Sequence, residues 1–310
     1  MKVTIIMTAY NAETFINQAI ESVLSQTYKN FEFIIVNDGS TDRTLGFIRE
    51  FERVDNRIIV IDHANIGMGE SLNQAIEISK SELIFRMDAD DIMMSNRLEE
   101  QLSFMNENPK ISVLSCLAYY IGKKNKVIGK TFSDLKEVED CRRYYRDNEV
   151  IGLLHPGVVF RKSIIQNIGG YRGKFWPAED IDLWNRLVEK GHDIVTLQKI
   201  LMNYRVHGGS TITSKFIESR KKYEWVRETM WNRRKGNSEP AWDDFLNDFN
   251  TKSILEKLNW KRKAYAKNHY RAGGFDYANR KYLSFLLHLI GAFVLQPRYA
   301  FFKLKKQIIK

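Results

Sequence analysis

The sequence predicts an α/β protein, a mostly parallel sheet with helices on both faces, followed by a basic helical C-terminal extension. Three observations carry this. Over about the first hundred residues, short apolar runs alternate with stretches of helical periodicity. Each apolar run ends in a cluster of Asn, Asp, Thr or His. Positions 211–310 hold 22 Lys and Arg against 9 Asp and Glu, a net of +13, whereas positions 1–210 net −3.

Residues 3–7 read as the first strand. Ala12, Phe15, Ile16, Ala19, Ile20, Val23 and Leu24 then recur at helical spacing, with Asn11 placed to cap that helix. Residues 31–36 form the second strand and 37–40 a turn, and Thr41 or Asp42 opens a helix that runs to Phe51. The pattern repeats as a strand over 57–61, a helix over 69–79 and a strand over 83–87. In open sheets of this kind, ligands bind beyond the carboxyl ends of the strands. That rule gathers Thr8, Tyr10 and Asn11, then Asn37 and Asp38, then His63 and Asn65, then the aspartates after the fourth strand, at one crevice. The regular alternation stops near Pro109. Residues 112–121 read as a longer strand that turns into Val127-Ile128, residues 134–146 as a helix, 157–160 as a short strand and 163–168 as a short helix. Gly169-Gly170-Tyr171 reads as a tight turn, and 179–190 as a helix stopped by Gly191.

With 310 residues, 44% of them hydrophobic, the chain is long enough for a large domain plus an appendage and too apolar to be disordered throughout. Its two cysteines, Cys116 and Cys141, have no metal-binding spacing, which argues against a disulfide framework and for a reducing cytoplasm. The apolar run at residues 3–7 is too short for a signal core, so it reads as a strand and not a leader.

Asp88-Ala89-Asp90-Asp91 is the most informative stretch. Three carboxylates behind a buried strand repel one another and resist burial, and a bound cation relieves both effects. Oxygen donors with no cysteine nearby select a hard ion, Mg²⁺ or Mn²⁺, of the kind that serves phosphate groups. The simpler alternative is that Asp90 or Asp91 caps the helix carrying Arg97, Leu98 and Leu102. Glu179-Asp180 also has two readings. The pair compensates a helix dipole, or it supplies a general base to a hydroxyl nucleophile. The flanking Trp176 and Trp184 either offer flat faces to a sugar or belong to the core. His207, followed by two glycines, is a candidate for contact with a metal or a diphosphate, and His155-Pro156-Gly157 is either a pocket lining or a turn. Gly67-Met68-Gly69 lacks the third glycine of a dinucleotide fingerprint, because Leu72 takes that place.

In order and spacing, five segments resemble family-2 glycosyltransferases, which have the GT-A fold and transfer a sugar from a nucleotide donor with inversion. They are Ile5-Ile6-Met7-Thr8-Ala9-Tyr10-Asn11 (with Met7 where that motif often has Pro), Val36-Asn37-Asp38-Gly39-Ser40-Thr41-Asp42, Asn65-Ile66-Gly67 with Asn73, the acidic tetrad, and Glu179-Asp180. The resemblance covers about residues 1–210 and makes them a GT-A catalytic domain, with 211–310 as a basic helical region. It implies that Thr8, Tyr10, Glu13 and Asp38 line a nucleobase pocket, uracil being the commoner base, and that Asn65 and Arg86 help hold the nucleotide. It further implies that Asp88 contacts the ribose, that Asp90 binds Mn²⁺ or Mg²⁺ with Asp91 as an adjacent candidate, and that His207 approaches the metal. Gly169 and Gly170 would let the backbone approach the donor sugar, and Asp180 would be the base with Glu179 beside it. The implied partners are a nucleotide-sugar donor, UDP-linked first, and a glycan or lipid-linked saccharide acceptor in surface-polysaccharide synthesis.

Residues 282–295 are rich in Phe, Leu and Ile, yet the run is shorter than the ~20 residues that span a bilayer. Phe301, Phe302, Leu304, Ile308 and Ile309 then alternate with Lys303, Lys305, Lys306 and Lys310. A peripheral amphipathic segment on the anionic inner face of the cell membrane fits both facts, and so does an extension packed on the body with its lysines in solvent. Nucleic acid is not an expected partner, since the tail has no recognised binding motif. Two rival functions are a nucleotidyltransferase that makes a nucleotide-sugar and a non-enzymatic binder of anionic polymers. The first would carry a Gly-rich basic loop after strand one, where Met7-Thr8-Ala9-Tyr10-Asn11 stands.

Overall fold

A computed structural model describes residues 1–206, 216–278 and 280–308. Strands β1 (Val3–Ala9), β2 (Phe31–Asp38), β3 (Ile58–His63), β4 (Leu83–Asp88), β5 (Ile92–Met93), β6 (Ile111–Ile121), β7 (Val127–Lys130), β8 (Val159–Arg161) and β9 (Asp193–Arg205) form one sheet. Its order is β3-β2-β1-β4-β8-β6-β9-β5, with β7 paired to β6. The long ladders, β1 to β2 and β4, β2 to β3, and β6 to β9, are parallel. The antiparallel ladders of β4, β5, β6 and β7 with their neighbours are short.

Every residue of β1 and β2 is buried, as expected of central strands covered on both faces. Val3, Ile5 and Met7 face one side, where α1 (Ile16–Leu24), α2 (Thr44–Val54) and α4 (Arg97–Glu107) supply Ile20, Ile48 and Leu98. Ile6, Ile34 and Ile84 face the other, against Leu72 and Ala75 of α3 (Met68–Ile78), Ile165 of α6 (Lys162–Asn167), and Leu183 and Trp184 of α7 (Glu179–Glu189). Cys141 of α5 (Val138–Arg146) joins this second cluster. The period-two alternation of the strands thus makes two cores, one per face.

Several expectations need correction. Asn11 does not cap α1, which starts at Ile16. It has φ 49°, and its Oδ1 accepts the Thr41 N–H at 2.8 Å, so it ties the first loop to the second. Asp42 does stand at the start of α2, accepting the Thr44 N–H at 3.0 Å. The acidic tetrad caps no helix, because β5 intervenes and α4 begins at Arg97. Strand β9, thirteen residues long, has no counterpart in the sequence reading.

The C-terminal helices are α8 (Phe216–Arg234), α9 (Trp242–Thr251), α10 (Ile254–Ala278), α11 (Tyr282–Leu295) and α12 (Pro297–Ile308). Helices α8 and α9 pack on the body. Trp225 meets Phe175 with ring centroids 4.3 Å apart, and Phe245 joins the same apolar cluster. Arg233 of α8 pairs with Glu189 of α7 at 2.7 Å. Helices α10 and α11 form a hairpin in which His269 and His288 meet Nδ1 to Nδ1 at 2.8 Å. Among the described residues, no helix is long and apolar enough to cross a membrane.

Candidate active site

A cleft of about 2720 Å³ opens at the carboxyl ends of β1, β2 and β4. Register explains the convergence: Thr8 lies opposite Asp88 on one side and Val36 on the other, one step before Asn37. The cleft wall includes Thr8, Tyr10, Asp38, Asn65, Arg86, Asp88, Asp90, Glu179 and Asp180, so most of the residues singled out in the sequence come together. Both oxygens of Asp38 accept backbone N–H groups, from Ile66 at 2.8 Å and Gly67 at 3.1 Å, and Asn65 Nδ2 donates to the Asp38 carbonyl at 2.9 Å. The second loop therefore holds the third in place. A Cβ on Gly39, at φ 71°, would stand 2.5 Å from the Asn65 nitrogen, which is why a glycine turns the chain there.

Some expected residues stand apart from the wall. Glu13 is exposed, and its carboxylate accepts the Arg43 N–H at 3.1 Å. Gly169 and Gly170, at φ 84° and 63°, form the turn after α6. Arg186 donates to the Gly170 carbonyl at 2.6 Å, and a Cβ on Gly170 would collide with Asn73 at 2.5 Å, so Gly170 packs on α3, whereas Gly169 is exposed with open space around it, and neither lines the cleft. His207 lies outside the described residues.

The carboxylates of Asp88, Asp90 and Asp91 each offer an oxygen within 4.8 Å of the others. Burial, reinforced by Asp90, pushes Asp88 and Asp91 above ordinary carboxylate values, while Arg86 pulls the other way. Asp91 is fully buried. Its Oδ1 accepts the Arg205 N–H at 2.7 Å, whereas its Oδ2 has no hydrogen-bond partner among the described residues. Crowded oxygen donors with one orphaned buried oxygen fit a hard divalent cation. Arg86 is equally unsatisfied. It is buried and paired through Nη2 to Asp88 at 2.5 Å, while its Nε and Nη1 have no partner among the described residues. A buried guanidinium with idle donors on a cleft wall calls for an anion.

Glu179 and Asp180 open α7 and also line the cleft. Asp180 is partly exposed, and its Oδ1 accepts the Ile181 N–H at 2.8 Å. Burial first of all raises Asp180 to about 6, against the pull of Arg86. Burial and then Asp180 raise Glu179 to about 8. Trp184 is core, while Trp176 lines the cleft. His155 lines it too, with its Nε2 2.9 Å from the Tyr171 hydroxyl, so it is more than a turn residue. Burial and Arg86 hold it well below the usual imidazole value, and therefore neutral.

The family model described as Glycosyl transferase family 2 matches residues 4–169. The chain belongs to glycosyl transferase family 2. It is 34% identical over 217 residues to an Escherichia coli protein named UDP-Glc:alpha-D-GlcNAc-diphosphoundecaprenol beta-1,3-glucosyltransferase WfaP, covering 70% of this chain and 82% of that one. In structure it is similar to residues 1–349 of Staphylococcus aureus TarS, solved with UDP-GlcNAc, at TM-score 0.61 and 20% identity over 96% of this chain and 92% of that one. It is also similar to the mannosyltransferase PcManGT from Pyrobaculum calidifontis, solved with GDP-Man and Mn²⁺, at TM-score 0.55 and 16% identity over 99% and 79% of the two chains. The fold is GT-A, and the chain is a glycosyltransferase.

Two supports of this glycosyltransferase site escaped the sequence reading. Arg205, at the end of β9, clamps the tetrad turn. Besides its backbone bond to Asp91, its Nε donates to the Asp90 carbonyl at 2.6 Å and its Nη1 to Asn125 Oδ1 at 2.6 Å. Asp182, fully buried two residues beyond Asp180, is paired with Arg172, with Arg186 at 2.9 Å and with Arg233 at 3.5 Å. Glu239 then faces Arg172 and Arg233 at 2.9 Å each, which stitches the start of α7 to the C-terminal helices. No local pattern signals this network, because Arg172 and Arg186 lie among at least as many carboxylates as cations and Arg233 comes from a distant part of the chain.

Proposed function

We propose that the glycosyltransferase is metal-dependent and inverting, and moves a sugar from a UDP-sugar to a hydroxyl of a glycan or lipid-linked saccharide during bacterial surface-polysaccharide synthesis. The observation that carries this is one cleft lined by a buried, half-satisfied guanidinium, by Asp88 and Asp90 of a carboxylate triad and by a helix-start carboxylate pair. The name of WfaP supports a UDP donor and a lipid-diphosphate acceptor, the ligands of TarS and PcManGT support a nucleotide-sugar, and the Mn²⁺ bound with GDP-Man in PcManGT supports a divalent ion.

Thr8, Tyr10 and Asp38 would face the nucleobase, Asn65 and Arg86 would hold the nucleotide, and Asp88 would meet the ribose. Asp90 and Asp91, with His207, would hold Mn²⁺ or Mg²⁺, which when bound stabilises the negative charge of a departing diphosphate. Asp180 takes the proton of the acceptor hydroxyl as that oxygen attacks the anomeric carbon from the face opposite the nucleotide, and the bond to the nucleotide diphosphate breaks. Glu179, buried beside it, holds a proton near neutral pH and keeps a second negative charge out of the site. The catalytic body is residues 1–210. The basic region 211–310 works at the inner face of the cell membrane, where a lipid-linked acceptor is met.

A thermal-shift panel of nucleotides and nucleotide-sugars, with and without Mn²⁺, tests this reading, because a ligand that binds only the native state raises Tm. UDP should stabilise the wild type in a Mn²⁺-dependent manner, and Asp90→Ala should lose that dependence. No shift with any nucleotide would overturn the assignment of the cleft. A second expectation concerns pH. Asp180 works deprotonated and burial raises it to about 6, so activity should climb with pH through that value. A kcat/KM profile that is flat across about pH 5 to 8 would exclude Asp180 as the titrating base.

A further inference from the structure

Helix α11 contains no charged residue and has two distinct faces. One packs on α10, where His288 meets His269 and the missing side chains of Gly273 and Gly291 let the helices approach. The other presents Leu283, Leu286, Leu287, Ile290 and Val294, each between 50% and 76% exposed. Their spacing of i, i+3, i+4, i+7 and i+11 places all five on one stripe. A contiguous exposed apolar face of this kind marks an interaction surface.

The surrounding charge selects the occupant. No Asp or Glu follows Asp276, whereas seven Lys and Arg do. Arg280 and Lys281 are exposed before α11 and Arg298 after it. A second copy of the chain would set this cationic rim against its like. A lipid leaflet with anionic headgroups supplies apolar depth for the stripe and negative charge for the rim. Position favours the same occupant, because Tyr277, Phe285 and Leu289 of this hairpin line the cleft that holds Asp180.

We infer that α11 is a monotopic docking helix. Its leucine-rich stripe enters the headgroup boundary of an anionic leaflet, its basic rim holds the headgroups, and the hairpin sets the mouth of the cleft at the lipid surface. This rests on the membrane setting proposed above and deepens it by naming the inserting face.

Flotation of the full chain with phosphatidylcholine vesicles, with and without phosphatidylglycerol, tests it. The wild type should float with the anionic vesicles and keep part of that binding at raised salt, since insertion is not screened. The triple variant Leu286→Ser, Leu287→Ser, Ile290→Ser should lose about tenfold or more of the binding while keeping its circular dichroism and its nucleotide thermal shift. Asp180→Asn should float like the wild type, so a failed transferase assignment and a failed docking assignment give different results. Equal flotation of the triple variant would overturn the inference, as would a dimer in light scattering that the triple variant abolishes without any vesicle binding.

Discussion

Asp180→Asn should lower turnover by about 10² to 10⁴ while donor binding survives, the range that general-base assistance normally supplies. The substitution nearly preserves shape. Asparagine can still accept the Ile181 N–H that orients Asp180, at 2.8 Å in the wild type, and it leaves the cleft wall in place. What it cannot do is receive the acceptor's proton. Initial rates with a UDP-sugar and an acceptor, paired with the UDP-induced thermal shift of the same variant, separate chemistry from binding. Near wild-type turnover would transfer the base role to Glu179, the other carboxylate at the start of α7. A lost thermal shift would mean instead that Asp180 contributes to the donor pocket.

Asp182→Asn should cost about 3 kcal/mol of stability, the lower end of what removing one partner from a buried ion pair costs. Asp182 is fully buried among Arg172, Arg186 and Arg233, and the neutral amide leaves those cations poorly compensated. The lower end applies because Glu239 still faces Arg172 and Arg233. For a chain of this size the fall in Tm should be about 5 °C or more. Glu239→Gln, which touches the same arginines from a more exposed position, should cost less. Equal Tm values for wild type and Asp182→Asn would show that the arginines are satisfied without Asp182. Turnover measured well below Tm should also fall, because the network pins the turn of α7 that carries Asp180.

The parts of this site that are legible in the sequence share a property. Each depends on residues close together in the chain. Strands β1, β2 and β4 are buried on both faces, so they appear as unbroken apolar runs with polar residues at their ends. The tetrad stands out because three carboxylates crowded behind such a run repel one another and resist burial. Family resemblance then attaches roles to those positions, and the cleft does gather most of them.

The sequence by itself determined the α/β class, the first four strands, the crevice at their ends and the basic helical tail. Tertiary structure alone decided whether the tetrad caps a helix or crowds a cleft, because β5 is defined by pairing Ile92 with Asn203 and Asp91 is held by Arg205, 114 residues further on. It alone revealed β9, whose ladder with β6 shifts register around Cys116 and Leu117 and so leaves no clean alternation to read. It alone removed Glu13, Gly169 and Gly170 from the cleft wall, gave Asp182 its arginines and turned the α11 stripe outward. Periodicity and turn chemistry report interactions between neighbours in the chain. Partners far apart in sequence leave no mark on that local pattern, and only the folded sheet shows which of them meet.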